Sequence, residues 1–408
     1  MKNVLVVGTL DTKGREMRYI LDEIRAAGGT ATVANFGVFE PDASDIPVDF
    51  TAADVAKVGG ATLEELRSGG EAGGARNHAM EVMMQGLTAI MEQEYEAGRL
   101  GAVLGFGGSS GSSVVGTAMQ VLPVGVPKVM VSTVGGGDVS AYAGTKDITF
   151  VPSIVDVAGI NRISRIIYAN AAGAIAGMTK VVAPPAAEEK PLIAASMFGN
   201  TTEAVGHARG ILESAGYEVL VFHATGTGGK TMESLIADGY ITASLDMTTT
   251  ELADHVCGGV FSAGPERCLA ASRAGIPAVL VPGCVDMCNF GGIDTVPEKF
   301  RGRQLYQWNP NVTLLRTNVE ENVRMGEMLA AAANAARGPV AVLLPLKGVS
   351  MLDSPGGAFW DPEADQACYD TLKHHLRPGI RVIEMDNNIN DPEFATCAAN
   401  TLLDMVKR

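Results

Sequence analysis

The sequence predicts an α/β protein of two Rossmann-like subdomains, each a mostly parallel sheet with helices on both faces. Short apolar runs alternate with helical patterns along the whole chain, which is typical of parallel strands covered by helices. With 408 residues, of which 47% are hydrophobic, the chain is long enough to bury two cores. We place the first subdomain at residues 1–182, a linker at 183–191 and the second subdomain at 192–408.

In the first half, the clearest pattern is Gly101 to Phe106, a continuous apolar run of the kind found in buried parallel strands. Helical spacing runs from Gly14 to Ala27 and stops at a Gly-Gly pair. The other predicted strands are Lys2–Gly8, Thr30–Phe36 and Lys128–Val134, and the other predicted helices are His78–Gly98, Val114–Gln120 and Asn161–Met178.

The segment from Ala183 to Pro191 has three prolines and three charges, so it cannot continue a helix and is the predicted linker. Alternation resumes after it, and helix-like runs separate the strand-like ones. The strand-like runs are Leu192–Met197, Tyr217–Phe222, Ile276–Val281, Val312–Arg316, Val340–Leu344 and Ile380–Met385.

Charge and composition exclude several classes of function. The formal net charge is −15, which argues against a nucleic-acid partner because binding to phosphate backbones needs clustered Lys and Arg. No apolar stretch reaches the roughly 18 residues that span a bilayer, and the start does not resemble a secretory signal. The six cysteines form no C-x-x-C pair. We therefore expect a cytoplasmic protein with reduced thiols and no membrane partner.

The loop G-F-G-G-S-S-G-S-S, from Gly105 to Ser113, follows a predicted strand and precedes a predicted helix. Glycines let a backbone approach phosphate oxygens, and the exposed amides at a helix start attract anions. A tight turn with serine caps is the alternative. The residues expected to bind a cofactor here are Gly107, Gly108, Ser109, Ser110, Gly111 and Ser112.

A second segment, T-L-D-T-K-G from Thr9 to Gly14, follows the first strand and is expected in the same crevice. Asp11 would bind a ribose hydroxyl or a metal, and Lys13 a phosphate. The alternative is that Asp11 or Thr12 caps a helix. The segment Thr133 to Asp138 is a candidate third wall.

In the second half, A-T-G-T-G-G-K-T from Ala224 to Thr231 fits a relaxed Walker pattern in which alanine replaces the first glycine. Lys230 would contact phosphate and Thr231 would hold Mg²⁺. The run Ile241 to Asp246 is a poor Walker B strand because Thr242 and Ser244 interrupt it, so another kind of anion-binding loop is favoured. The expected anion-binding set is Gly226, Gly228, Gly229, Lys230, Thr231 and Arg267.

Polar residues gather near predicted strand ends in this half, where a doubly wound sheet places its site. Taken singly, each is more often a helix cap or a loop residue; together they favour a ligand site with acid–base chemistry. The candidate catalytic residues are His223, Glu233, Asp246, Glu251 and Asp286.

Several longer motifs carry a family resemblance across essentially the whole chain. They include G-T-L-D-T-K-G from Gly8, G-F-G-G-S-S-G from Gly105, H-A-T-G-T-G-G-K-T-M-E from His223 and P-G-C-V-D-M-C-N-F-G from Pro282. The chain resembles the Tm-one-like ATP-binding family, which includes the amino-terminal part of a plant tobamovirus-resistance protein. The resemblance implies two Rossmann-like subdomains, ATP binding and a homodimer.

Three hypotheses follow from the sequence. The first is an ATP-binding protein, with the nucleotide on the first-half loops and Mg²⁺ as a possible companion. The second is an enzyme of hydrolase or lyase type that acts on a small carboxylated or phosphorylated metabolite at the second-half polar cluster. The third is a protein-interaction module with a vestigial site.

Overall fold

A computed structural model describes residues 3–42, 45–68, 73–182 and 189–407. The chain divides into two compact units, Met1–Pro185 and Ala186–Arg408. Residues 183–188, which make up most of the expected linker, lie outside the described residues. None of the described helices is long and apolar enough to cross a bilayer.

The first unit alternates strands and helices around one parallel sheet of order β2-β1-β3-β4-β5. The strand order reverses between β1 and β3, so the connections leave these two strands in opposite directions and open a crevice at their carboxyl ends. The elements are β1 (Val4–Gly8), α1 (Leu10–Ala26), β2 (Ala31–Asn35), α2 (Ala52–Val58), α3 (Leu63–Ser68), α4 (Gly73–Glu96), β3 (Ala102–Gly107), α5 (Ser109–Met119), β4 (Lys128–Ser132), α6 (Ser140–Ala143), β5 (Thr149–Pro152) and α7 (Arg162–Met178).

Both faces of this sheet are buried, which explains its continuous apolar strands. Leu5 and Val7 of β1 pack into a core with α2, α4 and α5. Val4 and Val6 point the other way, into a core with α1 and α7, because successive side chains of a strand alternate between its faces. The backbone ends of β1 and β3 are thereby fixed where the crevice opens.

The second unit repeats this plan with a parallel sheet of order β14-β13-β9-β8-β6-β7, whose order reverses between β6 and β8. Helices α8 and α14 pack with one face, and α10, α12 and α13 with the other. The elements are β6 (Leu192–Met197), α8 (Thr202–Ser214), β7 (Glu218–His223), α9 (Thr227–Ala237), β8 (Ile241–Asp246), α10 (Thr250–Cys257), α11 (Ala270–Ala274), β9 (Ala278–Leu280), β10 (Met287–Phe290), β11 (Leu305–Asn309), β12 (Val312–Arg316), α12 (Val319–Asn334), β13 (Val340–Pro345), α13 (Pro362–His375), β14 (Arg381–Met385) and α14 (Pro392–Val406).

The structure adds to the strand predictions for the second half at two places. Ile241 to Asp246 is the central strand β8, because Thr242 can face solvent while the other residues are buried. Val312 to Arg316 is β12, but it belongs to a separate antiparallel sheet of order β10-β12-β11. A short apolar run predicts a strand without telling which partners it will have.

Two helix starts also differ from the predictions. Helix α1 begins at Leu10, four residues before the predicted Gly14, and α5 begins at Ser109, five residues before Val114. The expected phosphate loops of the first half are therefore largely the first turns of helices.

Candidate functional site

A cavity of about 710 Å³ opens in the first unit where the strand order reverses. We call it the switch-point cavity. Its wall is formed by the segments that follow β1, β2 and β3, together with residues of α3 and α4. Of the residues predicted to bind a cofactor, those that line it are Asp11, Lys13, Gly107, Gly108, Ser109, Ser110 and Gly111. Ser112 does not line it, because its buried hydroxyl contacts that of Ser132 at 2.6 Å.

Helix α5 begins in this wall. Gly108 occupies the N-cap position, and no described side chain caps the helix there. The first amides of an α-helix have no partner within the helix, and together with the helix dipole they favour an anion. A Cβ added to Gly108 would come only within 3.9 Å of the Thr133 hydroxyl, so space remains in front of this helix start.

The Asp11 carboxylate is held in place by the segment after β2. Its Oδ2 accepts the Phe39 amide at 3.1 Å, and a Cβ on Gly37 would lie 2.7 Å from the same carboxyl group. Asp11 lies in the first turn of α1, whose N-cap residue is Thr9, so neither Asp11 nor Thr12 is the cap that the alternative interpretation expected.

The cations of the cavity differ from the prediction. The Lys13 ammonium donates to the Val157 carbonyl, so the protein's own backbone satisfies one of its three donors. Arg76 of α4 also lines the cavity, and its Nη2 donates to the Ser110 hydroxyl at 3.4 Å. Sequence reasoning missed Arg76 because it lies on an exposed helix face, far in the chain from either glycine loop.

Apart from Thr9 and Thr12, the rest of the wall is apolar. It includes three aromatic rings, one of which, that of Phe39, is 62% exposed, and side chains of helices α3 and α4. Such a surface suits a planar, weakly polar group. The apolar residues are Phe36, Val38, Phe39, Leu66, Met80, Met83, Phe106 and Val114.

In the second unit, a buried arginine gathers three of the candidate catalytic residues. The side chain of Arg267 is 0% exposed and donates to both carboxylate oxygens of Asp246, at 2.5 and 2.6 Å. It also donates to Glu251 at 2.6 Å and to Glu233 at 2.9 Å. Burial raises the pKa of Glu233, with the Arg267 charge opposing that rise. We call these four residues the Arg267 network.

The same network closes the second glycine loop. The amides of Gly226 and Gly229 donate to Oε1 of Glu251 at 2.7 and 3.0 Å. Gly228 packs tightly against the His223 backbone. The Lys230 side chain is exposed. A ligand anion could bind these amides only if it displaced Glu251. The predicted anion-binding role of this loop therefore depends on that displacement.

The remaining second-half candidates lie apart from this network. The Thr231 hydroxyl, the expected Mg²⁺ ligand, donates to the Thr227 carbonyl at 2.8 Å. His223 is exposed and its ring contacts Phe198. Asp286 accepts a hydrogen bond from Ser350 at 2.8 Å, and burial raises the pKa of Asp286 to about 7. Across the described residues, no group of three or more Asp, Glu, His or Cys side chains is placed to hold a metal ion.

Asp286 belongs to a second buried cluster. Asp353 and Asp365 lie 3.6 and 2.8 Å from the Arg316 guanidinium, and both Asp353 and Asp286 are completely buried. Each arginine therefore lies among three carboxyl groups, an arrangement that resembles an internal ion-pair network with more acidic groups than cations.

Two family models together match nearly the whole chain. The N-terminal domain of the uncharacterised protein family UPF0261 matches residues 2–184, and the C-terminal domain of the same family matches residues 190–406. A UPF0261 protein of Clostridium tetani is 47% identical over 408 residues, covering 100% of both chains.

More distant similarities extend to plants and to solved structures. The ToMV resistance protein Tm-1(GCR237) of Solanum lycopersicum is 36% identical, and the match covers 98% of this chain and 55% of the tomato protein. Among solved structures, Acinetobacter baumannii MurG is 12% identical, covers 99% of this chain and 100% of its own, and has a TM-score of 0.23. That score is too low to support a comparison of function.

Proposed function

This chain belongs to the UPF0261 protein family, and within that family we propose that its first unit binds a nucleotide, with ATP as the first candidate. The observation that carries the proposal is the start of α5, which has glycine at its N-cap and opens into the switch-point cavity. Crevices where the strand order reverses are the usual ligand sites of parallel α/β sheets.

From these contacts we assign a part of the proposed ligand to each wall. The amides at the start of α5 would receive the phosphates, because uncapped helix starts bind anions. Arg76 lies beside Ser110 and adds a positive charge there. The apolar wall that contains Phe36 and Phe39 would cover the base. The Asp11 carboxylate, held by the Phe39 amide, keeps lone pairs for a ribose hydroxyl.

The second unit offers less room for a ligand of this kind. Its glycine-loop amides hold Glu251, and Arg267 is matched by three carboxylates. We therefore place the nucleotide in the first unit. A cytoplasmic homodimer remains a prediction, and light scattering of the purified protein tests the dimer.

The test is titration calorimetry of ATP, with and without Mg²⁺, into Gly108→Asp. Asp is a good N-cap residue, so this variant should fold at least as well as the parent. Its carboxylate would occupy the α5 amides and repel phosphate, and we expect ATP binding to be lost. Gly108→Ala is the matched control. The added Cβ fits the open space and the backbone φ of −75° suits alanine, so ATP should still bind, with at most a small loss of affinity. Unchanged ATP affinity in folded Gly108→Asp would place the nucleotide elsewhere.

A further inference from the structure

A second cavity, of about 590 Å³, adjoins the start of α5 in the first unit. Gly108 and Ser109 line both cavities. The remaining wall comes from Thr133 and Gly136 after β4 and from residues 152–156 at the end of β5. Because β4 and β5 lie beyond β3 in the sheet, this cavity is on the opposite side of the helix start from β1. We call it the β5 cavity.

The charge of the β5 cavity is opposite to that of its neighbour. The ionisable residue among its described lining residues is Asp156, which is exposed and makes no hydrogen bond or ion pair with the described part of the chain. Hydroxyl groups of Ser109 and Thr133 add hydrogen-bonding partners. The wall of the switch-point cavity has two cations, Lys13 and Arg76, against one carboxylate, Asp11. With no cation among the described lining residues, the Asp156 carboxylate favours a positively charged or neutral group beside it over an anion.

The lip of the β5 cavity is strained. Ile154 has a φ of +64° and is 70% exposed. The Val155 amide donates to the Ser153 carbonyl at 2.7 Å, so Ile154 is the central residue of a γ-turn of the rare positive-φ kind. A β-branched residue is a genuine outlier in this region, and such strain often marks a functional position. An exposed isoleucine gains nothing from packing here, so its side chain is available to a ligand.

We propose that the β5 cavity is a second binding site, for a small amine or alcohol. Asp156 and the neighbouring hydroxyls bind its polar group, and Ile154 supplies an apolar contact. The ligand would lie next to the phosphate end of the nucleotide, and only that last statement rests on the proposed function. The β5 cavity itself is independent of what the switch-point cavity holds.

The test is methyl NMR on the full chain, with labelled isoleucine and methionine methyl groups. Ile154 reports on the β5 cavity and Met80 on the switch-point cavity. Ethanolamine is the probe. Glycolate, which is similar in size but negatively charged, is the control ligand. We expect ethanolamine to shift the Ile154 signal saturably and to leave Met80 unmoved, and glycolate to shift neither. Asp156→Asn should weaken ethanolamine binding about tenfold, as loss of a charge-assisted hydrogen bond does.

The contribution of Ile154 is tested separately by Ile154→Gly, observed through the Thr133 methyl group. Glycine adopts positive φ without strain, so this variant should melt at the same or a higher temperature than the parent and yet bind ethanolamine several-fold more weakly. Ile166→Ala is the control, since Ile166 is 58% exposed on α7 and does not line the cavity. Equal binding of ethanolamine and glycolate, or full affinity in Asp156→Asn, would overturn the proposal. Shifts of Met80 by ATP report on the nucleotide site independently.

Discussion

The Glu251 carboxylate accepts the Gly226 amide at 2.7 Å, so an internal side chain occupies the second-half glycine loop that fits a relaxed Walker pattern. Glu251 is completely buried and is also paired with Arg267 at 2.6 Å. The loop and the arginine are thus satisfied by the same side chain. This contact distinguishes the second-half glycine loop from the first-half loop, because the start of α5 has no such internal partner among the described residues.

Arg267→Met should destabilise the second unit strongly. It would leave Asp246, Glu251 and Glu233 without their shared cation, and removing one partner of a buried ion pair costs about 3–5 kcal/mol. Urea unfolding at neutral pH measures the loss. Arg273→Met is the control, because the Arg273 pair with Glu266 is exposed and should contribute less than about 1 kcal/mol. Equal losses in the two variants would show that the network is not structural.

Asp246→Asn is a milder change in the same network. It retains the shape of the side chain but replaces one acceptor of the Arg267 guanidinium with a donor. We expect the free energy of unfolding to fall by about 2–3 kcal/mol, with ATP affinity unchanged. Calorimetry on the same sample tests the second part, and a loss of ATP binding with full stability would instead favour a ligand site in the second unit.

Stability should depend on pH through Asp254. Burial raises its pKa to about 7, against about 3.9 in an unfolded chain. Between these values the folded state holds a proton that the unfolded chain has released, so the stabilising contribution falls as pH rises. The slope approaches about 1.4 kcal/mol per pH unit.

Asp254→Asn carries no titrating group and should lack this slope. The measurement is the difference in unfolding free energy between parent and variant, followed in urea from about pH 4 to 8. Asn retains an acceptor for the Phe261 amide, which Asp254 binds at 3.0 Å. A difference that stays constant with pH would contradict the assigned pKa.

Arg76→Ala should weaken ATP binding roughly ten- to hundredfold, because a charge-assisted hydrogen bond contributes roughly 1.5–3 kcal/mol. The loss should shrink as salt concentration rises, since Arg76 is exposed and its field is screened. Arg99→Ala removes an arginine whose partner is Glu94 and which does not line the cavity, so it should leave affinity unchanged. Identical behaviour of the two variants would remove Arg76 from the site.

Limited proteolysis should first cleave between Ala183 and Pro191, where the sequence is polar and interrupted by prolines. The products should match the units Met1–Pro185 and Ala186–Arg408 in mass, as mass spectrometry would show. A first cut inside either parallel sheet would place the boundary elsewhere.

The sequence was sufficient for the parallel sheets because strands buried on both faces read as unbroken apolar runs, as β1 and β3 do. It was not sufficient for β8, whose exposed Thr242 interrupts that run, or for the antiparallel pairing of β12. Residues near the α5 start were predicted to line a ligand site because glycine and serine leave a local signal. Glu251 was named as a catalytic candidate, but its contact with the glycine loop left no local signal because Gly226 lies 25 positions away.

Strands β9 and β13 are neighbours in the second sheet, yet residues 281–339, including the antiparallel sheet and α12, come between them in the chain. Loop-closure entropy grows slowly with length, so this insertion costs little in stability. The long connection has a consequence for incomplete chains. A protein that ends before Val340 leaves the edge of β9 unpaired, and an open edge is a template for pairing with other molecules. Chains truncated there should aggregate rather than yield a smaller soluble unit.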